Sequence, residues 1–364
     1  MDAKKHTGIK WHVKPPLEEA RQEPQLFQAE RIVHSLKTGL ACIIGLLLTK
    51  ITPLSQWLII TILVVMCAQQ SVGSMLQKSY MRFLGTIFGA ASAILTLAVF
   101  GDSFIARGTT LILSILFFSY LATSDKSYSD AASLGAVTVI IILIAPNPTV
   151  HNGLERCFEI SLGILIAGLV SQLIFPIHAR THLRYNQSAT LNQLVVSYRS
   201  SFVNHHNETL EQYFSFDEAI SKFISIQRKL ANDAKREPFG PAFSIDYFKQ
   251  SLWCEKEILR TMNLMHQVYY ASPNLQKEMS HIPSLTEWHA DICIALEKIA
   301  HNMTLNKPET ISIPSILAAK EAIFAAANQM TSDEKKNVYT FLFGMEMLLL
   351  CLTKLAILQR GIKK

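Results

Sequence analysis

Charge is the first thing this 364-residue sequence lacks. Between Thr38 and Gln77 the only charged side chain is Lys50, and from Ile160 to Ile177 there is none. A soluble core does not leave such stretches empty, whereas a helix crossing a bilayer needs about 20 mostly apolar residues. Other absences exclude chemistry. The six cysteines (Cys42, Cys67, Cys157, Cys254, Cys293 and Cys351) form no CxxC or CxxH pair. That argues against both a thiolate metal site and a disulfide framework, and leaves them as small buried hydrophobes. His205, His206, His266, His281, His289 and His301 never take the HxxxH spacing of a metal helix. The chain has no GxxxxGK[ST] and no GxSxG, so neither a nucleotide-driven pump nor a serine hydrolase is indicated. No enzyme, cofactor or metal is expected. Alternating strand patterns are absent too, which makes the fold class all-α.

The bulk figures, 49% hydrophobic and 17% charged, average two unlike parts. Residues 1–30 are polar, with Lys4, Lys5, Lys10, Lys14 and Pro15-Pro16, and read as a cytoplasmic lead-in without a cleavable signal. Glu18, Glu19, Arg21 and Glu23 suggest a short helix there. Residues 31–177 read as a six-span transmembrane domain. The spans fall near Ile32–Leu48, Gln56–Gln70 (opened by Trp57, an interfacial anchor), Arg82–Phe100, Arg107–Thr123, Ala131–Ala145 and the uncharged run from Ile160. Gly73, Lys78 and Arg82 read as an inner loop, and Ser124–Asp130 as another. The last span ends at Pro176 and a basic group, His178, Arg180, His182 and Arg184. Inner loops then carry Lys78, Arg82, Lys126, Arg180 and Arg184, while outer ends carry only Lys50, Arg107 and Arg156. This positive-inside bias predicts a multi-pass protein of the cell inner membrane with both termini in the cytoplasm. The net charge of +6 gathers at span ends, which suits an anionic lipid face rather than nucleic acid.

Residues 178–364 show helical periodicity with polar faces and read as a cytoplasmic helical bundle. About six helices are expected, near 181–205, 208–235, 244–271, 284–305, 313–330 and 333–360. Trp288, Ile292, Leu296, Ile299 and Met303 make one apolar stripe, and Ser284/Glu287 and Thr331/Glu334 have the capping-box spacing. Val338–Leu358 is apolar enough for a seventh span, yet it holds Glu346 and Lys354. Either it is a buried helix of the bundle or it crosses the membrane, and the positive bias favours the bundle.

Small residues recur at helix-packing spacing in Gly85-Thr-Ile-Phe-Gly89 and Gly163-Ile-Leu-Ile-Ala167. With Arg82 before it and Ala90 after it, the first resembles the R-x-x-G-T-x-x-G-A pattern of the fusaric acid resistance (FUSC) and aromatic acid exporter family. Arg156-x-x-Glu159-Ile-x-x-Gly163, running to Phe175-Pro176, is similar to that family's final span. The layout is also similar to plant aluminium-activated malate transporters. The resemblance covers about 31–184 by motif and the rest by layout. It implies transport of small organic anions, aromatic carboxylates among them, by an oligomer, and the single unit here implies a homodimer.

An anion crossing a bilayer needs positive charge at intermediate depth, held loosely enough to release it. The candidates are Lys37, with His34 at i−3 on the same face, Arg82 and Arg156. The bland reading for each is a span-end cation reaching the headgroups, and Arg107 fits that role best. Glu159 and Asp130 are the carboxylates placed for proton coupling. Against that, Glu159 either takes a proton or simply pairs with Arg156 at i, i+3, and Asp130 either takes one or orients a neighbouring cation. Gln69-Gln70-Ser71 and Ser171-Gln172 add neutral donors. Three functions stay open: a proton-coupled exporter of organic anions, a gated anion channel, and a membrane scaffold whose bundle docks a partner.

Overall fold

The computed structural model describes residues 25–52, 54–67, 72–101, 103–124, 126–146, 148–203, 210–240, 242–271, 273–305, 309–328 and 330–360. The expected helix at Glu18–Glu23, Asp125 and the donors Gln69-Gln70-Ser71 lie outside these residues. Among the described residues the chain forms thirteen α-helices and no strand. It divides into two compact units. The first comprises Gln25–Thr181 with Asn232–Pro241, and the second includes His182–Ala231 with Ala242–Lys364.

In the first unit α1 is Gln25–Ile51, α2 Trp57–Cys67, α3 Val72–Phe100, α4 Phe104–Ser124, α5 Lys126–Leu143 and α6 Val150–Leu173. Their apolar side chains make two clusters. One joins Ala41 of α1 to Leu58, Ile62 and Met66 of α2 and to Ile160, Ile164 and Val170 of α6. The other joins Ala90 and Leu97 of α3 to Phe118 of α4 and Val139 and Ile142 of α5. Helix α3 also packs along α6 and so ties the two clusters together. Outside them the helices expose apolar faces: Leu36, Ile43 and Leu47 on α1, and Ile112, Leu116, Phe117 and Tyr120 on α4. Such faces are costly in water and match hydrocarbon.

The expected count of six spans is not reproduced by length and composition. Four helices are long and apolar enough to cross a membrane: Arg31–Ile51, Gly73–Phe100, Phe104–Ser124 and, in the second unit, Ser332–Gln359. The 11 residues of α2 reach only about 16 Å, roughly half a hydrocarbon core. The apolar part of α5 is short, Tyr128–Leu143. Two expected loops are also corrected. No breaker interrupts the chain after Gly73, so α3 begins ten residues before Arg82, and Lys78 and Arg82 lie one turn apart on a helix. Helix α5 begins at Lys126, which puts Asp130 one turn inside it rather than in a loop. Helix α6 stops at Leu173; Phe175 then takes a left-handed φ of 44° and Pro176 forbids continuation.

The R-x-x-G-T-x-x-G segment is the tightest packing point of the unit. A Cβ on Gly85 would stand 2.0 Å from the Ala131 carbonyl oxygen, and one on Gly89 2.4 Å from that of Gly135. Only glycine lets α3 and α5 lie backbone to backbone, which the small-residue spacing predicts. Residues Asn232–Pro241, although distant in sequence, complete the unit's edge. Glu237 is buried there; it accepts from the Ala179 amide at 2.6 Å, lies 3.5 Å from His178 Nδ1 and 3.6 Å from Arg180 Nε.

The second unit contains α7 (Ala179–Phe202), α8 (Leu210–Arg236), α9 (Ile245–Ala271), α10 (Pro273–Ser280), α11 (Pro283–Thr304), α12 (Leu317–Ala327) and α13 (Ser332–Arg360), apart from the helix ends assigned above. One core holds them, and the Trp288–Met303 stripe is buried in it as its periodicity predicts. Helix α13 contributes Phe341, Met345, Leu348, Cys351 and Leu355 to that core, while Tyr339, Phe343, Leu350 and Ile357 face outward. The Thr331/Glu334 capping box forms reciprocally, with Thr331 N–H donating to Glu334 at 2.9 Å and Glu334 N–H to Thr331 Oγ1 at 3.4 Å. The Ser284/Glu287 box does not. Pro283 starts α11 one residue earlier, and the Ser284 hydroxyl turns instead to the Ala318 carbonyl at 3.4 Å.

Candidate functional site

The sequence-derived candidates fall at the two ends of the short helix α2. A helix leaves its first N–H and last C=O groups unpaired, with partial positive charge at the start and negative charge at the end. Within a membrane unit those groups must find protein partners, because lipid offers none.

At the N-terminal end the Trp57 amide donates to the Ser55 hydroxyl oxygen at 3.4 Å, and Ser55, just before the helix, is held by Glu159 of α6. Glu159 is 4% exposed; Oε1 accepts from the Ser55 amide at 2.7 Å and Oε2 from the Ser55 hydroxyl at 2.7 Å. Arg156, one turn earlier, donates from Nη1 to Glu159 Oε2 at 2.7 Å and also reaches the Ser55 hydroxyl. Its guanidinium stands over the Trp57 ring, 5.9 Å from the centroid. A carboxylate bridging two backbone segments 104 residues apart is a fastener, and its lone pairs are well used. Arg156 is therefore half-buried and paired, and Glu159 has no loose oxygen.

At the C-terminal end the Val64 carbonyl, among the last four of α2, accepts from Arg82 Nη1 at 3.1 Å. The backbone of Met66 hydrogen-bonds His34, and the Lys37 charge acts on the same imidazole. Lys37 itself is 3% exposed on α1, a depth at which an ammonium is costly without polar company. Arg82 Nη2 then lies 3.7 Å from Asp130 Oδ1, and Lys78 Nζ 3.8 Å from Oδ2. These separations are long for ion pairs, and about a quarter of the Asp130 side chain (27%) meets solvent. The structure thus brings His34, Lys37, Arg82 and Asp130 around one helix end. It sets Arg156 and Glu159 about 16 Å away, at the other end of an 11-residue helix.

Arg107 reaches the Leu143 carbonyl at 3.4 Å and ties α4 to the end of α5. Ser171 is buried and Gln172 half-buried on α6. Sequence reasoning missed Ser55 and Lys78. Ser55 carried one readable signal, its position two residues before Trp57 at a helix start, where a hydroxyl is the usual cap.

Apolar outer faces around enclosed arginine–carboxylate clusters define a helical membrane protein. The chain belongs to the fusaric acid resistance protein family, whose family model matches residues 31–232. It is similar to aluminum-activated malate transporter 1 of Triticum aestivum, at 23% identity over 196 residues, which is 48% of this chain and 41% of that one. It is similar to aluminum-activated malate transporter 14 of Arabidopsis thaliana, at 26% over 200 residues, 50% of this chain and 36% of the relative. The p-hydroxybenzoic acid efflux pump subunit AaeB of Edwardsiella ictaluri is 28% identical over 168 residues, 41% of this chain and 25% of its own length. The chain spans well under half the length of these relatives.

Proposed function

We propose that this protein moves small organic anions out of the cell across the inner membrane. The observation that carries the reading is the pair of cationic side chains Lys37 and Arg82, with the His34 imidazole beside them, at the end of α2 inside an apolar helical unit. One cation would suffice to cap the helix end, and a helix that stops short within a membrane unit is a common place for an ion site. Family membership and relatives named for malate transport and p-hydroxybenzoic acid efflux agree with an anionic carboxylate as cargo.

Of the two carboxylates, Asp130 is the better placed to couple transport to protons, because its contacts are long and its side chain is partly exposed. Glu159 is held by Ser55 and Arg156 and serves to fix α2. The basic residues Lys78, Lys126, Arg180 and Arg184 near helix starts support cytoplasmic termini, with residues 178–364 as a bundle on that side. A homodimer in the bilayer is the expectation that the single unit of the chain carries. The rival is a gated anion channel, in which the cationic lining is enough and Asp130 only tempers it.

The test is flux of malate and of 4-hydroxybenzoate in proteoliposomes at clamped voltage, with and without a pH gradient. Accumulation against the anion gradient only while protons flow establishes the exporter; purely downhill flux establishes the channel. Lys37→Ala should lower flux about tenfold or more, the scale of one lost charge-assisted contact. Wild-type flux in that variant removes Lys37 from the pathway, and no flux from folded wild-type protein sinks the transport reading.

A further inference from the structure

A groove on the second unit gathers positive charge that its own residues do not neutralise. It has a volume of about 240 Å³ and lies between α8 and α9. Ser221, Ser225 and Arg228 stand on one face of α8 at i, i+4 and i+7, and Lys256 and Arg260 face them from α9. Arg260 meets Glu257 at 3.2 Å. Neither Arg228 nor Lys256 makes an ion pair or hydrogen bond among the described residues. Partial burial, and then the nearby Arg228 and Arg260 charges, hold Lys256 below the ordinary lysine range.

Bringing three cations to one groove whose lining, among the described residues, holds no carboxylate raises the energy of the empty fold, and a bound anion removes that cost. The two guanidinium forks offer paired N–H donors suited to planar carboxylate or tetrahedral phosphate oxygens. Two serine hydroxyls add neutral donors, and buried Ile224 backs the groove. The volume is below the roughly 300–1,000 Å³ of pockets for drug-sized ligands, so the occupant is small.

We propose that this groove binds a small free oxyanion carrying two negative charges, a dicarboxylate or a phosphate. It is separate from the clusters around α2 and does not depend on the transport reading. A lipid phosphate offers the same chemistry, and the experiment distinguishes the two sources.

Full-length protein in a neutral maltoside detergent is titrated calorimetrically with malate and with inorganic phosphate. The titrations are repeated in micelles doped with dioleoyl phosphatidic acid. Saturable binding of either free anion is expected, weakened about tenfold or more by Arg228→Gln with Lys256→Gln. Lys229→Gln removes one charge from α8 outside the groove and should leave the affinity unchanged. Ser225→Ala, which alters no charge, should weaken binding by about two- to tenfold and guards against a double variant that fails to fold. The proposal is overturned by no binding of either anion, by binding as strong in the groove variants as in the wild type, or by equal weakening by Lys229→Gln. Groove-dependent binding seen only with phosphatidic acid also overturns it, since the site would then belong to a headgroup.

Discussion

The two ends of α2 carry opposite solutions to the same problem. At its start, a buried carboxylate receives Ser55 and Arg156 at 2.7 Å, and every oxygen is in use. At its end, Arg82 satisfies the Val64 carbonyl at 3.1 Å but stands 3.7 Å from Asp130, whose side chain is 27% exposed. Short, saturated contacts hold a position, whereas long contacts leave a charge available. The first end is therefore held tightly and the second loosely, and a loose hold is what the proposed transport reading asks of an ion site.

The largest effect should come from breaking the saturated end. Glu159→Ala leaves Arg156 and the Ser55 amide without their partner and should cost about 3–5 kcal/mol, as expected for one half of a buried pair. Thermal unfolding in detergent reads this directly. A variant as stable as the parent would show that Glu159 is not a fastener and would return it to the proton-coupling role.

Next is the packing that presents Arg82 to Asp130. Gly85→Ala puts a methyl 2.0 Å from the Ala131 carbonyl oxygen and forces α3 and α5 apart. A loss of about 1–3 kcal/mol is expected, together with lower flux because the second end is misaligned. Unchanged stability would mean that the two backbones do not meet there.

Asp130→Asn should scarcely alter stability, by about 0–1 kcal/mol, as for an exposed pair. In the exporter it should abolish uphill transport while downhill flux survives. Retention of uphill transport would remove Asp130 from the coupling step and blur the contrast between the two ends.

Glu255 in the second unit sharpens the comparison, because it is a buried carboxylate with no cation hydrogen-bonded to it. It is fully buried, accepts from Gln227 Nε2 at 2.6 Å and from Ser251 Oγ at 3.4 Å, and burial pushes it from the usual 4.5 to about 8. A carboxyl raised on folding binds its proton more tightly in the native state. Its contribution is therefore complete below about 4.5 and lost as pH rises through about 8. Hydrogen exchange of α9 in the full chain should quicken across that window. Glu255→Gln, neutral at every pH, should flatten the dependence, and an unaltered profile would exclude Glu255 as its source.

Much of this was legible in the residues. Uncharged runs announced the apolar helices, since nothing else tolerates such composition. Arg156 and Glu159 announced their pairing, because three residues along a helix is one face. Gly85 and Gly89 announced close packing for the same local reason. Other features were out of reach. Glu159 grips Ser55 across 104 residues, Asp130 meets Arg82 across two helices, and Asn232–Pro241 joins a unit whose main stretch ends at Thr181.

The sequence by itself determined that the chain is helical and which segments are apolar, because periodicity and hydropathy act over a few turns, and its motifs carried the family resemblance. Tertiary structure alone decided which charges meet, which carboxylate is saturated and where cations gather. Those depend on how distant helices pack, and on whether glycine lets their backbones touch.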